Sequence, residues 1–126
     1  GASNLQATAG IDLVADTNGT TINRLVYFSG ALKVQIPAAT ANLTTIAGVA
    51  MATKTNGQTV NVVTHGAVLI DCAGTVAAGD LMVSDDGTAG KVKTNASPVL
   101  GGVVGKAMET CGGTTAGKAY VFLGAE

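Results

Sequence analysis

The chain has 126 residues, of which 47% are hydrophobic and 12% are charged, and its formal net charge is −1. This length suffices for one domain that buries about two thirds of the surface of its unfolded form. The near-neutral charge balance argues against a nucleic-acid surface, which needs clustered Lys and Arg. No apolar run approaches the ~18 residues that cross a membrane. Because the charged fraction is well below the usual value of about 25% and the mean hydropathy is +0.41, we infer that other protein normally covers part of the surface.

The N-terminal segment 1–24, GASNLQATAGIDLVADTNGTTINR, is small and polar except for one apolar run at residues 11–14. It lacks the positive segment and apolar core of a secretory signal. Two interpretations stay open for it. Either it is an extended arm that adds a strand to the sheet edge of a neighbouring molecule, or it is an edge strand or frayed terminus of its own domain. Residues 25–126 are predicted to form a single β domain.

Short segments with a period of two follow in the chain, and this period is typical of half-buried strands. They are ALKVQI at residues 31–36, QTVNVVT at residues 58–64 and GKVKT at residues 90–94. Their predicted inward-facing residues are Leu32, Val34, Ile36, Val60, Val62 and Val92.

Turn-forming clusters such as DTNGT, KTNG and SDDGTAG separate the predicted strands, at the spacing of about eight to twelve residues that is typical of a sandwich or barrel. Residues 37–47 could form one short helical turn after Pro37. The predicted fold is therefore mainly β: a compact antiparallel β-barrel or sandwich with at most one short helix.

The sequence motif Ala-Met-x-Thr occurs at residues 50–53 and again at residues 107–110. Each time it precedes a Gly-containing turn and another strand-like segment. If the second loop is three residues longer, Gly57 aligns with Gly117. We interpret the repeat as a β-hairpin used twice, in which each copy covers an edge of the other. Alternatively, the two stretches are similar without a duplication, because hairpins in a chain rich in Ala, Gly and Thr use similar residues.

His65, Asp71 and Cys72 are residue types that build a thiol nucleophile with its base. However, Asp71 and Cys72 are neighbours on one predicted strand, so their side chains point to opposite faces. Catalysis is not expected there. Cys72 and Cys111 are predicted to be unpaired thiols, since a small domain that relies on disulfides usually has more cysteines. A disulfide between them stays open.

Asp80, Asp85 and Asp86 carry carboxylates, but a calcium loop needs several oxygen ligands at close alternating positions. An Asp-Gly pair between apolar strands instead predicts a hairpin turn. GGVVGKA at residues 101–107 lacks the Ser or Thr that follows Gly-Lys in a phosphate-binding loop. We therefore predict no metal and no cofactor.

Residues 46–71, 76–92 and 99–124 resemble the capsid-cement (head decoration) proteins of tailed bacteriophages. The shared pattern is Gly-Val-Ala, a Gly-turn hairpin, a His-Gly or Gly-Val strand start, an Ala-Gly-Asp step, an Asp-Gly turn and a second Gly-x-Ala hairpin. The first 44 residues depart from it, because they lack the expected Gly-Asp-Pro-Val-type phrase.

The resemblance implies a β-rich homotrimer that clamps neighbouring major-capsid subunits on the outside of an icosahedral head. The implied partners are the major capsid protein and further copies of this chain, without nucleic acid or membrane, and the implied location is the outer capsid surface of the virion. The low charge and the N-terminal segment then predict where the capsid or a neighbouring protomer is contacted. The predicted contact residues are Ala2, Ser3, Asn4, Leu5, Ile11, Leu13 and Val14.

Two other classes of protein stay open. One is another virion or surface β-module, such as a tail, fibre or carbohydrate-binding domain, although glycan sites usually display exposed aromatic residues and this chain has few. The other is an enzyme or a cofactor-carrying hammerhead domain. The latter would need a lysine at a hairpin tip, for which Lys54 is the candidate, because Lys106 and Lys118 fall within or beside predicted strands.

Overall fold

The computed structural model describes residues 9–41, 43–112 and 116–121, the last segment through its backbone only. These residues form β1 (Ala9–Ala15), β2 (Leu25–Gly30), β3 (Lys33–Gln35), β4 (Ile46–Ala50), β5 (Thr59–Asp71), β6 (Thr75–Val76), β7 (Leu81–Ser84), β8 (Val92–Thr94), β9 (Gly105–Ala107), β10 (Cys111–Gly112) and β11 (Ala116–Val121). The described residues contain no helix, so none that could span a membrane. The helical turn allowed after Pro37 is not formed.

The strands β1 to β5 close into a five-stranded barrel. β3 pairs with β2, β2 with β4, and β4 with β5, all antiparallel. β5 then pairs antiparallel with β1, and β1 closes the ring through a short parallel pairing with β3. The predicted compact, mainly β barrel is confirmed, with this one parallel pair as a departure from an antiparallel arrangement.

The longest strand, β5, joins the barrel to a second sheet. Its first half pairs with β1 and β4, whereas residues 66–71 pair with β11. Gly66 lies where the two halves meet and has a φ of 108°, a conformation that glycine adopts without a side-chain clash. The second sheet continues through β9 and β7 to β8, while β6 and β10 form a separate two-stranded sheet.

Two hydrophobic cores result from this arrangement, because neighbouring residues on a strand point to opposite faces. In β5, Val62 faces the barrel interior and Val63 faces the second core; Val26 and Leu25 divide in the same way in β2. The barrel core consists of Leu13, Ala15, Val26, Val34, Ala47, Ala50, Val60 and Val62. The second core consists of Leu25, Val49, Val63, Val68, Ile70, Cys72, Val76, Met82, Val92, Val104, Ala107 and Cys111.

The predicted inward-facing valines of the strand segments are confirmed, since Val34, Val60, Val62 and Val92 are all at most 1% exposed. The prediction for Leu32 is wrong. Leu32 lies in the turn between β2 and β3, has a φ of 57° and is 71% exposed. Ile36 lies beyond the end of β3 and is half-buried. Simple alternation assigns Leu32 to the core, but in the structure this residue belongs to the turn of the β2–β3 hairpin and is exposed.

Both predicted hairpins form, but their predicted alignment is wrong. Ala50 pairs with Val62 in the first hairpin, and Ala107 pairs with Ala119 in the second, so each pair is separated by twelve residues. No three-residue insertion is needed. Gly117 is not the counterpart of the turn residue Gly57, because it lies within β11 opposite Ile70.

The two cysteines form a disulfide, which corrects the prediction of unpaired thiols. Cys72 follows directly after β5 and Cys111 opens β10, and their Cα atoms are 6.1 Å apart. The pairing of Ala116 with Asp71 and of Cys111 with Val76 brings these two parts of the chain together. Both cysteines lie within the second core.

Candidate interaction surface

The structure does not assemble the thiol chemistry considered for His65, Asp71 and Cys72. Cys72 is fully buried and its sulfur is bonded to Cys111. The Asp71 carboxylate accepts a hydrogen bond from Nε of Arg24 at 3.1 Å. His65 is exposed on β5 and lines a groove instead. A nucleophile, a base and an orienting group are therefore not brought together by these residues.

The candidate lysine of a cofactor-carrying domain lies in the loop between β4 and β5, where it is paired with a second segment of the chain. Lys54 forms a bridge with Thr20, and its amide donates to the Thr20 carbonyl at 3.3 Å. Lys106 lies within β9 opposite Leu81. Lys118 lies within β11 opposite Leu69.

The acidic residues near Gly87 hold a turn, as predicted. The Asp85 carboxylate accepts hydrogen bonds from the amides of Gly87 at 3.0 Å and Thr88 at 2.7 Å. Asp86 pairs with Lys93 at 3.1 Å, and this hydrogen bond lowers the pKa of the Asp86 carboxyl. Within the described ranges, no group of three or more His, Cys, Asp or Glu residues could hold a metal ion.

The predicted contact residues of the N-terminal segment differ in their exposure to solvent. Leu13 is 4% exposed and lies in the barrel core, which removes it from the contact surface. Ile11 is 47% exposed, and Val14 is half-buried. Ala2, Ser3, Asn4 and Leu5 lie outside the described residues.

Within the described residues, one side of β1 has no partner strand over most of its length. Residues 9–13 pair with β5 on one side, whereas β3 begins only opposite Val14. Across the described part of the chain, no other strand pairs with residues 9–13. We call this stretch the β1 edge. Residues 9–12 are exposed, so backbone groups that point away from β5 can pair with an incoming strand.

A groove of about 480 Å³ adjoins the β1 edge, since His65 pairs with Ala9 and also lines the groove. Its lining comes from the end of β2, the start of β4, the middle of β5 and the loop before β9. The lining residues are Phe28, Leu43, Thr44, Ile46, Ala47, Thr64, His65, Gly101, Gly102, Val103 and Val104.

The groove is lined by apolar and uncharged polar residues. Among its described lining residues His65 has the one ionisable side chain, and Phe28 presents an aromatic ring that is 52% exposed. In the loop before β9, Val99 and Leu100 directly precede the lining residue Gly101, and they are 49% and 92% exposed. Aromatic residues and a depletion of charge are typical of the centre of a protein–protein interface. The groove and the β1 edge together form the candidate interaction surface.

Sequence reasoning missed the groove because its residues come from four separate parts of the chain. Phe28, Ile46 and His65 show no common spacing, and only the pairing of β2 with β4 and of β4 with β5 brings their strands side by side. The one available signal was the scarcity of charge, which predicts a covered surface without locating it.

The fold is thus defined as a closed five-stranded barrel whose longest strand continues into a second sheet, with the candidate interaction surface at the barrel. No protein-family model matches the sequence, and no curated protein matches it.

Two solved structures from phages share this fold. The first is the head fiber gp8.5 N base of bacteriophage phi29, with a TM-score of 0.67 and 18% identity over 90% of this chain and 93% of that chain. The second is a chain in the capsid of Myoviridae phage XM1, with a TM-score of 0.60 and 20% identity over 90% of this chain and 81% of that chain. At these identities the likeness establishes the fold.

Proposed function

We propose that this protein is a structural component of a bacteriophage virion that decorates and stabilises the outer surface of the head. It binds the major capsid protein there, as a homotrimer. The observation that carries the proposal is the fold shared with a phage head-fibre base and with a chain of a phage capsid. The resemblance of residues 46–71, 76–92 and 99–124 to capsid-cement proteins supports the same class.

The β1 edge and the preceding residues supply the contact with the capsid or a neighbouring protomer in this proposal. Ala2, Ser3, Asn4 and Leu5 lead into the strand, and Ile11 and Val14 offer accessible apolar surface on it. Backbone hydrogen bonds along an added strand supply affinity in this mode of recognition. Leu13 supports the strand from the barrel core.

Trimerisation strengthens such a contact without any new chemistry. Three linked copies raise the effective concentration of each contact, so the avidity exceeds the affinity of one site by ~10²-fold or more. A protein that binds only the assembled shell shifts the equilibrium toward that shell. The decorated head is then expected to resist dissociation better than the undecorated one.

Co-sedimentation with undecorated heads tests the proposal. We expect saturable binding by the natural protein and at least about tenfold weaker binding by Ile11→Asp, because a charge would enter an apolar contact. Ile22→Asp is the matched control, since Ile22 is 49% exposed but lies outside β1 and the groove. Failure of the natural protein to sediment with heads would overturn the proposal.

The likeness to a head-fibre base favours a second candidate function, in which the barrel anchors a fibre to the head. The specific observation is that 93% of that base is covered by the match. Electron microscopy of decorated heads separates the two candidates. A compact knob at each site supports the decoration protein, whereas a filament that extends from each knob supports the fibre base.

A further inference from the structure

We propose that the groove binds residues 1–8 of a second copy of this chain, with Leu5 as the anchoring side chain. This inference deepens the proposed function and rests on the self-association proposed there, because it names the surface through which one copy holds the next.

The position of Ala9 places the preceding segment at the rim of the groove. Ala9 pairs with His65, and Oγ1 of Thr64 donates to the Ala9 carbonyl at 3.4 Å. Both Thr64 and His65 line the groove. The described chain therefore begins beside this surface, and eight residues in an extended form reach about 26–29 Å.

The groove of a second copy is the proposed receiver of this segment. A segment held by a neighbouring copy supplies the self-association on which this inference rests.

The chemistry of the segment matches that of the groove. Residues 1–8, GASNLQAT, contain no charged side chain, and Leu5 is their one large apolar residue. Because His65 is the one ionisable residue among the described lining residues, burial of the segment against them does not require a charged pair to lose its water. The groove volume of about 480 Å³ lies within the range of about 300–1,000 Å³ that is typical of ligand pockets.

The proposed contact also explains how a closed assembly arises. Each copy contributes one segment and one groove, and these two surfaces differ, so the contact is heterologous. Contacts of this type form a ring when the rotation between copies closes. A ring of three is the expected homotrimer.

Thiol cross-linking between single-cysteine variants tests the proposal in solution, without heads. Leu5→Cys protein is mixed with Phe28→Cys protein and treated with a short bismaleimide. The natural cysteines do not react, because they form the disulfide. We expect a covalent dimer on a denaturing gel from the mixture. Thr44→Cys, at an exposed position of the groove, serves as a second acceptor that leaves the Phe28 ring in place.

Ile22→Cys is the matched control, since Ile22 is 49% exposed outside the groove, and it should give no dimer with Leu5→Cys. Absence of a dimer with both groove variants would overturn the proposal. A Leu5→Cys/Phe28→Cys double variant that links only within one chain would also overturn it.

Sedimentation equilibrium of Leu5→Asp gives a second readout. The mass should fall to that of the monomer while the thermal unfolding midpoint of the barrel stays unchanged, and an unchanged oligomeric mass would contradict the proposal. Head binding is measured separately. Natural protein that sediments with heads but gives no cross-link disproves the groove contact alone, whereas cross-linked protein that ignores heads disproves the capsid role alone.

Discussion

At Gly48 the backbone of β4 approaches β5 so closely that a side chain does not fit. A Cβ atom at this position would lie 2.7 Å from Cγ1 of Val62 and 3.0 Å from the carbonyl carbon of Val63. These two valines belong to the two different cores. Because Gly48 has no side chain, β4 and β5 lie close enough together for both strands to contribute to the barrel core and to the second core.

We expect Gly48→Ala to lower the free energy of unfolding by about 1–3 kcal/mol, because the added methyl group forces the packed strands apart. Urea denaturation measures the change. Gly30→Ala is the control, since its Cβ would lie 3.8 Å from the nearest side chain and should have a much smaller effect. Equal midpoints for natural protein and Gly48→Ala would contradict the close approach.

Asp16 links the end of β1 to β2 through side-chain hydrogen bonds. The Ser29 hydroxyl donates to Oδ2 at 2.7 Å, and the Thr17 amide donates to Oδ1 at 2.9 Å. These bonds favour the charged carboxylate, and the Ser29 bond is the main cause of the lowered pKa of Asp16. A folded-state pKa below the ordinary value of 3.8 gives stability that is full above that value and is lost as the pH falls through the folded-state pKa.

Ser29→Ala should therefore raise the pKa of Asp16 toward its ordinary value. Carboxyl-carbon NMR of Asp16 follows the titration directly. The stability difference between natural protein and Ser29→Ala should be largest above pH 3.8 and should shrink at lower pH. An unchanged pKa in Ser29→Ala would show that this hydroxyl does not stabilise the carboxylate.

At the scale of the strands, the disulfide links the end of β5 to β10, across a sequence separation of 39 residues. Cys111 pairs with Val76 in the small β6–β10 sheet, which contributes few backbone pairs of its own. The cross-link therefore supports this two-stranded sheet, which has only two paired positions among the described residues. It acts mainly by restricting the unfolded chain.

We expect the Cys72→Ala/Cys111→Ala double variant to be less stable by about 4 kcal/mol, the chain-entropy value for a loop of this length. Alanine is chosen because both sites are buried and a serine hydroxyl would lack a partner. Urea denaturation of the natural protein with and without a reducing agent provides the comparison. Identical midpoints for oxidised and reduced protein would contradict a stabilising role.

Local patterns predicted the strands more successfully than their partners. Alternation found the buried valines of β3, β5 and β8, and the Asp86-Gly87 pair located the turn between β7 and β8, because these signals depend on adjacent residues. β1 was ambiguous since its main partner, β5, lies about fifty residues away in sequence. The disulfide and the groove could not be predicted from the sequence for the same reason, because each depends on the strand order and register of distant segments.

On the scale of the whole molecule, two cores are built around strands that both of them share. Leu25, Val49 and Val63 face the second core from barrel strands, while Val26, Ala50 and Val62 face the barrel interior. The described part of the chain therefore packs as one continuous structure.

The proposed function depends on contact through this surface and requires no reaction. An exposed, almost uncharged groove next to an unpaired strand edge is unfavourable for a protein that stays alone in water. The same features favour a protein whose surface is covered in an assembly. The assembly that we propose is a phage virion. A phage head-fibre base and a chain of a phage capsid share this fold.

Electron cryo-microscopy of undecorated heads, with and without added protein, tests this claim most directly. We predict additional density on the outer surface of the shell, with three copies of the barrel around a common axis and the β1 edge at the contacts. Heads that show no additional outer density at saturating protein concentration would contradict it.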